Sequence, residues 1–197
     1  MPTKKTAAAD FPTLAFPTPR AFADWLAAHH ATVPGVWVKF AKTASGITSV
    51  RYAEALETAL CWGWIDGQSK RIDDDWYLQK FTPRAVRSIW SKINCARATA
   101  LVDAGTMQPP GLAEIERAKR DGRWDRAYDS PATATVPDDL ATALAKNRKA
   151  SAFFAGLDSQ NRYAILHRIQ TVKKAETRAR RIAEFVAMLT RGEKLHS

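Results

Sequence analysis

Two cysteines, Cys61 and Cys95, are all that the 197 residues contain. That is too few for a disulfide framework. Both fall in apolar helical patterns and are expected as buried, reduced thiols, with no local feature other than a nearby helix end that would lower a thiol pKa. No apolar run is long enough to span a bilayer. Residues 1–10 carry no apolar h-region, so a secretory signal is not expected. The four histidines, His29, His30, His167 and His196, lack ligand spacing, and there is no H-E-x-x-H, G-x-S-x-G, P-loop or dinucleotide fingerprint. Asp73, Asp74 and Asp75 are adjacent, so in an extended stretch their carboxylates point to opposite sides, which suits a solvated turn better than a cation site. No catalytic residue, metal ligand or cofactor is assigned.

Basic charge is abundant. The net charge is +10, with 16 Lys and Arg against 12 Asp and Glu over residues 1–122 and 14 against 8 over 123–197. Such a balance favours anionic partners without choosing among nucleic acid, phosphorylated metabolites and acidic protein surfaces.

Periodicity divides the chain. Thr18-Pro19 is a helix start, and Phe22, Trp25, Leu26 and His29 continue it at i, i+3, i+4 and i+7. Pro34-Gly35 breaks it, and 36–40 alternates as a strand. A helix follows from Tyr52 to about Trp62, then a polar, turn-like stretch over 66–75 and a second strand over 76–81. Ser88 reads as the cap of a helix over 89–104, stopped by Gly105. A shorter helix starts at Pro109-Pro110-Gly111. From Pro137 onward the pattern is helical throughout. In the last helix Ala175, Ala179, Ile182, Val186 and Leu189 form one stripe. The fold class is α+β: mostly helical, with a small antiparallel β element in the N-terminal part and an all-helical C-terminal module. The expected layout is a flexible N-terminus over 1–15, an α+β domain over 16–122, a linker or loop over 123–136, and a helical module over 137–197 packed on the first.

Three features carry candidate chemistry. The first is Trp-Gly-Trp-Ile-Asp-Gly at 62–67. Trp62, Trp64 and Trp76 lie within fifteen residues, and two glycines let backbone turn or a ligand approach. Asp66, Lys70 and Arg71 add charge, making an aromatic wall for a planar or anionic ligand; the competing reading is core tryptophans and a capping aspartate. The second is Arg84, Arg87 and Ser88 just before the expected helix start, where free N–H groups and guanidiniums attract anions. Trp90 and Asn94 extend this candidate pocket, and a plain cap with solvated arginines is the alternative. The third is Lys173, Lys174, Arg178, Arg180 and Arg181. A solvated helix face is the plainer reading there, and phosphate or partner binding the sharper one. Arg178 flanks the apolar stripe and is expected to join the two parts.

The run ALCWGWIDGQSKRIDDDWYLQKFTPR, continued by SIWSKIN, resembles the signature of the YdeI/OmpD-associated family of bacterial proteins. The tail from Asn147 to Leu195, with Lys174-Ala175-Glu176-Thr177-Arg178-Ala179-Arg180-Arg181 at its centre, resembles that family's C-terminal helical module. Together they cover about 16–195. Trp62 departs from the family's commoner phenylalanine and keeps an aromatic there. The resemblance implies a cytoplasmic bacterial protein tied by name to bacteriocin protection and to the porin OmpD, and it brings no catalytic residues. The first expectation is therefore a binding protein of antimicrobial or stress protection, taking a small anionic ligand or a protein partner. Nucleic-acid binding through the basic C-terminal helices is a second, and an enzyme acting on an anionic metabolite, with Asp66 as base, a third.

Overall fold

A computed structural model describes residues 11–196. The expected fraying of 1–10 lies outside the described residues. The described residues divide into two compact units, one of residues 11–88 with 96–124, the other of 89–95 with 125–196.

The first unit is α+β. Its strands are β1 (Thr13–Ala15), β2 (Val36–Ala41), β3 (Trp64–Arg71) and β4 (Trp76–Pro83). They form a four-stranded sheet in the order β1-β2-β4-β3. β2 pairs antiparallel with β4, as two alternating β-rich runs should. Two features differ from the sequence reading. Thr13–Ala15, expected in a flexible N-terminus, pairs parallel with β2, so the sheet is mixed. The connection is α1 (Pro19–His29), whose length lets two parallel neighbours be joined. Residues 64–71, read largely as a turn, form β3 and pair with β4. The polar sequence of β3 hid it because β3 is an edge strand that buries little of its length. The turn between β3 and β4 is confined to 72–75, where the Asp73 carboxylate accepts from the N–H groups of Asp75 and Trp76 at 2.9 and 2.7 Å.

Thr18 caps α1, accepting from the Ala21 N–H at 3.2 Å. The helix α2 (Tyr52–Cys61) packs on β3, and Phe22 of α1 meets Phe81 edge-on at 5.6 Å. Phe22, Leu26, Val36, Val38, Phe40, Leu56, Leu60, Trp64 and Phe81 are buried, so the core lies between these helices and one face of the sheet. Gly63 joins α2 to β3 at φ +72°, and a Cβ there would lie 2.9 Å from the Pro110 carbonyl oxygen of α4 (Pro109–Arg120). The helix α3 (Lys92–Asp103) begins in one unit and ends in the other.

The second unit contains α5 (Asp138–Ala145), α6 (Arg148–Ala155), α7 (Ser159–Gln170) and α8 (Ala175–Thr190). Asn147 and Asp158 cap α6 and α7 through side-chain bonds to Ala150 and Asn161. Leu140, Leu144, Phe154, Ile165, Ile169, Ile182, Phe185 and Leu189 are members of its core cluster. The buried line of α8 is Ile182, Phe185 and Leu189; Ala175 and Ala179, expected in the apolar stripe, are exposed. Tyr128 pairs with Ser91. Asp129 is held by Lys92 at 2.7 Å, and its carbonyl accepts from the Tyr163 hydroxyl at 2.9 Å. Tyr128 and Asp129, in the stretch 123–136, are thus tied down within the second unit.

Candidate functional site

The aromatic tract at 62–67 faces three ways. Trp64 is 1% exposed, and its indole N–H donates to the His30 carbonyl at 3.3 Å. It meets Trp25 edge-on at 6.0 Å, so it is core and not the wall of a pocket. Trp62 lies tilted against His30, ring centroids 4.7 Å apart, and borders a cleft of about 480 Å³ with Arg20, Glu54, Glu57 and Cys61. Two carboxylates and one guanidinium make that cleft a poor acceptor of anions. Asp66 points from β3 toward α2 and accepts from the Tyr52 hydroxyl at 2.7 Å. Burial and this hydrogen bond hold the Tyr52 phenol well above its ordinary value. Cys61 is buried and its thiol pushed up by that burial, whereas Cys95 is only half-buried.

The second candidate is also rearranged. The helix expected to start at Ser88 begins at Lys92, and it is Ser91 whose hydroxyl receives the Asn94 N–H at 3.2 Å. Pairing with Tyr128 keeps 90–91 extended and so delays the helix. Arg84, Arg87 and Ser88 therefore do not lie at a helix N-terminus. Arg84 is 5% exposed and donates to the Ser88 hydroxyl at 3.4 Å; Arg123, 4% exposed, donates to the Ser88 carbonyl at 2.6 Å. Arg117 binds Glu114. Burial raises the Glu114 pKa against the opposing pull of Arg117, Arg123 and Arg84. These guanidiniums pin the loop after β4 from within. Arg87 is exposed, Trp90 is 2% exposed, and Trp90 and Asn94 fall in the other unit.

The outer face of the sheet brings aromatic and cationic groups together. Along β2, Val36, Val38 and Phe40 are buried, which turns Trp37, Lys39 and Ala41 outward. Register places Lys80 opposite Trp37, Leu78 opposite Lys39 and Trp76 opposite Ala41, and Lys70 of β3 opposite Leu78. The Lys39 ammonium lies 4.1 Å from the Trp76 ring centroid, Lys70 4.3 Å from Trp37, and Lys80 4.1 Å from Phe11. Lys80 is also 5.9 Å from Trp37. The outward positions of the four strands hold no Asp or Glu. At a bulge between Asp66 and Ser69, the inward-facing Gln79 donates to the Gly67 carbonyl at 2.8 Å and keeps the edge strand in place. Of the residues singled out from sequence, Lys70 and Trp76 belong to this face. Alternation within 36–40 and 76–81 marks Trp37 and Lys39, and Trp76 and Lys80, as same-side pairs. Their meeting depended on strand register.

In the second unit Arg178 makes two bonds to the Asp139 carboxylate, 2.6 and 3.0 Å, and one to the Ile169 carbonyl at 2.8 Å. These three bonds lie within its own unit. Arg180 lies 3.7 Å from Glu184, while Lys173 and Lys174 are exposed. Between α5 and α8 runs an open groove of about 660 Å³, lined mainly by Ala143, Ala179, Ile182, Ala183, Val186 and Ala187. The Arg178–Asp139 pair, Lys146 and Asn147 also border it.

Residues 14–114 match the model of a domain of unknown function, DUF8412. Residues 133–192 match the family described as bacteriocin-protection, YdeI or OmpD-associated. The chain belongs to DUF8412 and carries a YdeI/OmpD-associated module after it. No curated protein and no solved structure matches the chain. The resemblance drawn over 16–195 thus resolves into two parts. The YdeI/OmpD-associated module contains α5 to α8 and their groove, and the DUF8412 part contains β2, β3 and β4 with most of β1. Among the described residues no helix is long and apolar enough to cross a membrane, and no cluster of three His, Cys, Asp or Glu could hold a metal ion.

Proposed function

We propose that this DUF8412 protein is a cytoplasmic binding protein of antimicrobial or stress protection, and that it accepts planar anionic ligands on the outer face of its sheet. The observation that carries this reading is the set of lysine ammoniums held over Trp37, Trp76 and Phe11. Each such pair is worth about 0.5–1 kcal/mol at an exposed site. A flat ring stacked on the same indole contributes about 1–3 kcal/mol, and the displaced ammonium then pairs with the ligand's anionic group. The exchange therefore favours a ligand that brings both a ring and a charge. A ring alone strands the lysine, and a charge alone finds no stacking surface.

The test is a titration of intrinsic tryptophan fluorescence with adenosine monophosphate, adenosine and inorganic phosphate. The monophosphate should quench saturably and the other two much more weakly, and Trp37→Ala should abolish most of the effect. Equal response to all three probes would sink the reading.

The apolar α5–α8 groove favours a second reading, in which the YdeI/OmpD-associated module docks a protein partner through an apolar helical segment. An environment-sensitive dye such as ANS should bind the protein and lose most of its signal in Ala179→Trp, which fills the groove. An unchanged dye signal would count against it. The other readings gain less support. The Asp66 carboxylate is engaged by Tyr52, which weakens its case as a base. Arg178 and Arg180 are engaged by carboxylates, which weakens the basic C-terminal helix as a phosphate grip.

A further inference from the structure

We infer that the outer sheet face takes single-stranded nucleic acid, laid along β2 and β4 as a chain of several nucleotides; this rests on the aromatic and cationic reading of that face above. Size is the first argument. Trp76 sits beside Ala41, four residues along β2 from Trp37, so the two indoles are separated by about 13 Å along the strands at roughly 3.3 Å per residue. That is close to four rises of a stacked strand at about 3.4 Å per nucleotide. One mononucleotide can occupy one indole, whereas an oligomer can reach both.

The second argument is the order of groups. Lys39 lies between the tryptophans on β2, Lys80 lies opposite Trp37, and Lys70 flanks them from β3. Ring, cation and ring therefore alternate along the face, matching the alternation of base and phosphate in a single strand.

Charge complementarity is the third. The outward strand positions carry three lysines and no carboxylate. The acidic turn at 73–75 lies beyond the Trp76 end. There Asp74 is bound by Arg71, and the Asp73 carboxylate is taken up by backbone N–H groups. Paired bases hide the ring faces that the indoles would stack on, so a duplex gains only the electrostatic part of this binding.

The experiment is fluorescence anisotropy of the full chain with labelled rU8 and dT8, competed by uridine monophosphate, an eight-base-pair duplex, heparin, and vesicles containing phosphatidylserine. We expect rU8 or dT8 to compete at least tenfold better than uridine monophosphate. Better binding of one octamer identifies the preferred sugar. The affinity should fall with salt at a log–log slope near −2, about 0.7 for each of three lysines. Trp37→Ala and Trp76→Ala should each weaken binding roughly five- to 150-fold, while Trp37→Phe, which keeps a ring, retains most of it. Lys80→Gln should make the slope shallower by about 0.7, and Lys173→Gln should leave it unchanged. Circular dichroism confirms that each variant is folded.

If the octamers bind no better than the monophosphate, and both need Trp37, the single-strand inference is overturned and the planar-ligand reading survives. If no probe binds, or binding ignores both tryptophans, both are overturned. Duplex or heparin binding as tight as the octamers also overturns the inference in favour of plain charge attraction. Trp37-dependent binding to vesicles but not to octamers overturns it in favour of a membrane surface.

Discussion

Trp64 and Trp37 show how one residue type serves two ends in the same sheet. Trp64 is closed against Trp25 with its N–H satisfied, so Trp64→Ala should cost about 3–5 kcal/mol. Trp37 lies under two lysines on the outer face, and Trp37→Ala should cost under about 1 kcal/mol, the scale of an exposed cation–π contact. Urea unfolding of the two variants checks both, and equal losses would contradict the assignment of faces. Gly63 and Gly105 form a second pair. Both have positive φ, +72° and +69°, but a Cβ meets the Pro110 oxygen at 2.9 Å only at Gly63, and meets nothing within 4 Å at Gly105. Gly105→Ala should cost the backbone term of about 1–2 kcal/mol. Gly63→Ala should cost clearly more by the same unfolding measurement, because its carbonyl neighbour belongs to backbone that cannot swing away.

Elements show where local pattern suffices and where it does not. α1 was legible because Thr18, Pro19 and the spacing of Phe22 and Leu26 are all local signals, and Thr18 caps as those signals require. β2 and β4 were legible by alternation. β3 was not: an edge strand leaves most of its side chains in water, so its composition reads as a turn. The start of α3 is not legible because a pairing with Tyr128, distant in sequence, holds 90–91 extended. In α8 the apolar period marked a stripe, but part of that stripe lines the open groove against α5. Here Arg178 links Asp139 of α5 to the end of α7. Lysine cannot span both partners, so Arg178→Lys should lose about 1–3 kcal/mol, leaving the Ile169 carbonyl short of a donor. A double-mutant cycle with Asp139→Asn should show coupling between the two side chains; additive losses would contradict the linkage.

The whole molecule should respond to acid in two stages. Burial pulls His167 below its ordinary value beside Tyr128. A histidine kept neutral in the fold stabilises fully above its unfolded pKa of about 6.5, and that contribution is lost as pH falls through the lower folded value. Asp129 is held down by Lys92, Asp139 by Arg178 and Asp158 by the Asn161 N–H of its own helix cap. Their stabilisation is complete above an unfolded pKa of about 4 and drains as pH drops through the depressed folded values. The thermal midpoint should therefore decline gently below about pH 6.5 and steeply below about pH 4. His167→Phe should flatten the first stage and Asp139→Asn part of the second. A midpoint independent of pH from 7 to 3 would contradict both assignments.

Composition and local spacing determined that this is a basic α+β chain with a helical C-terminal module, since caps and periods are near neighbours in sequence, and the tail's resemblance to a known family marked it as YdeI/OmpD-associated. Which tryptophans are core and which are surface was decided only by the tertiary structure. The side chains at 62–67 look like a ligand wall until packing closes Trp64 against Trp25. Phe11, just before β1, and Trp37, Trp76 and three lysines, distributed over β2, β3 and β4, become one face only through register, because strand pairing joins residues that no local pattern connects.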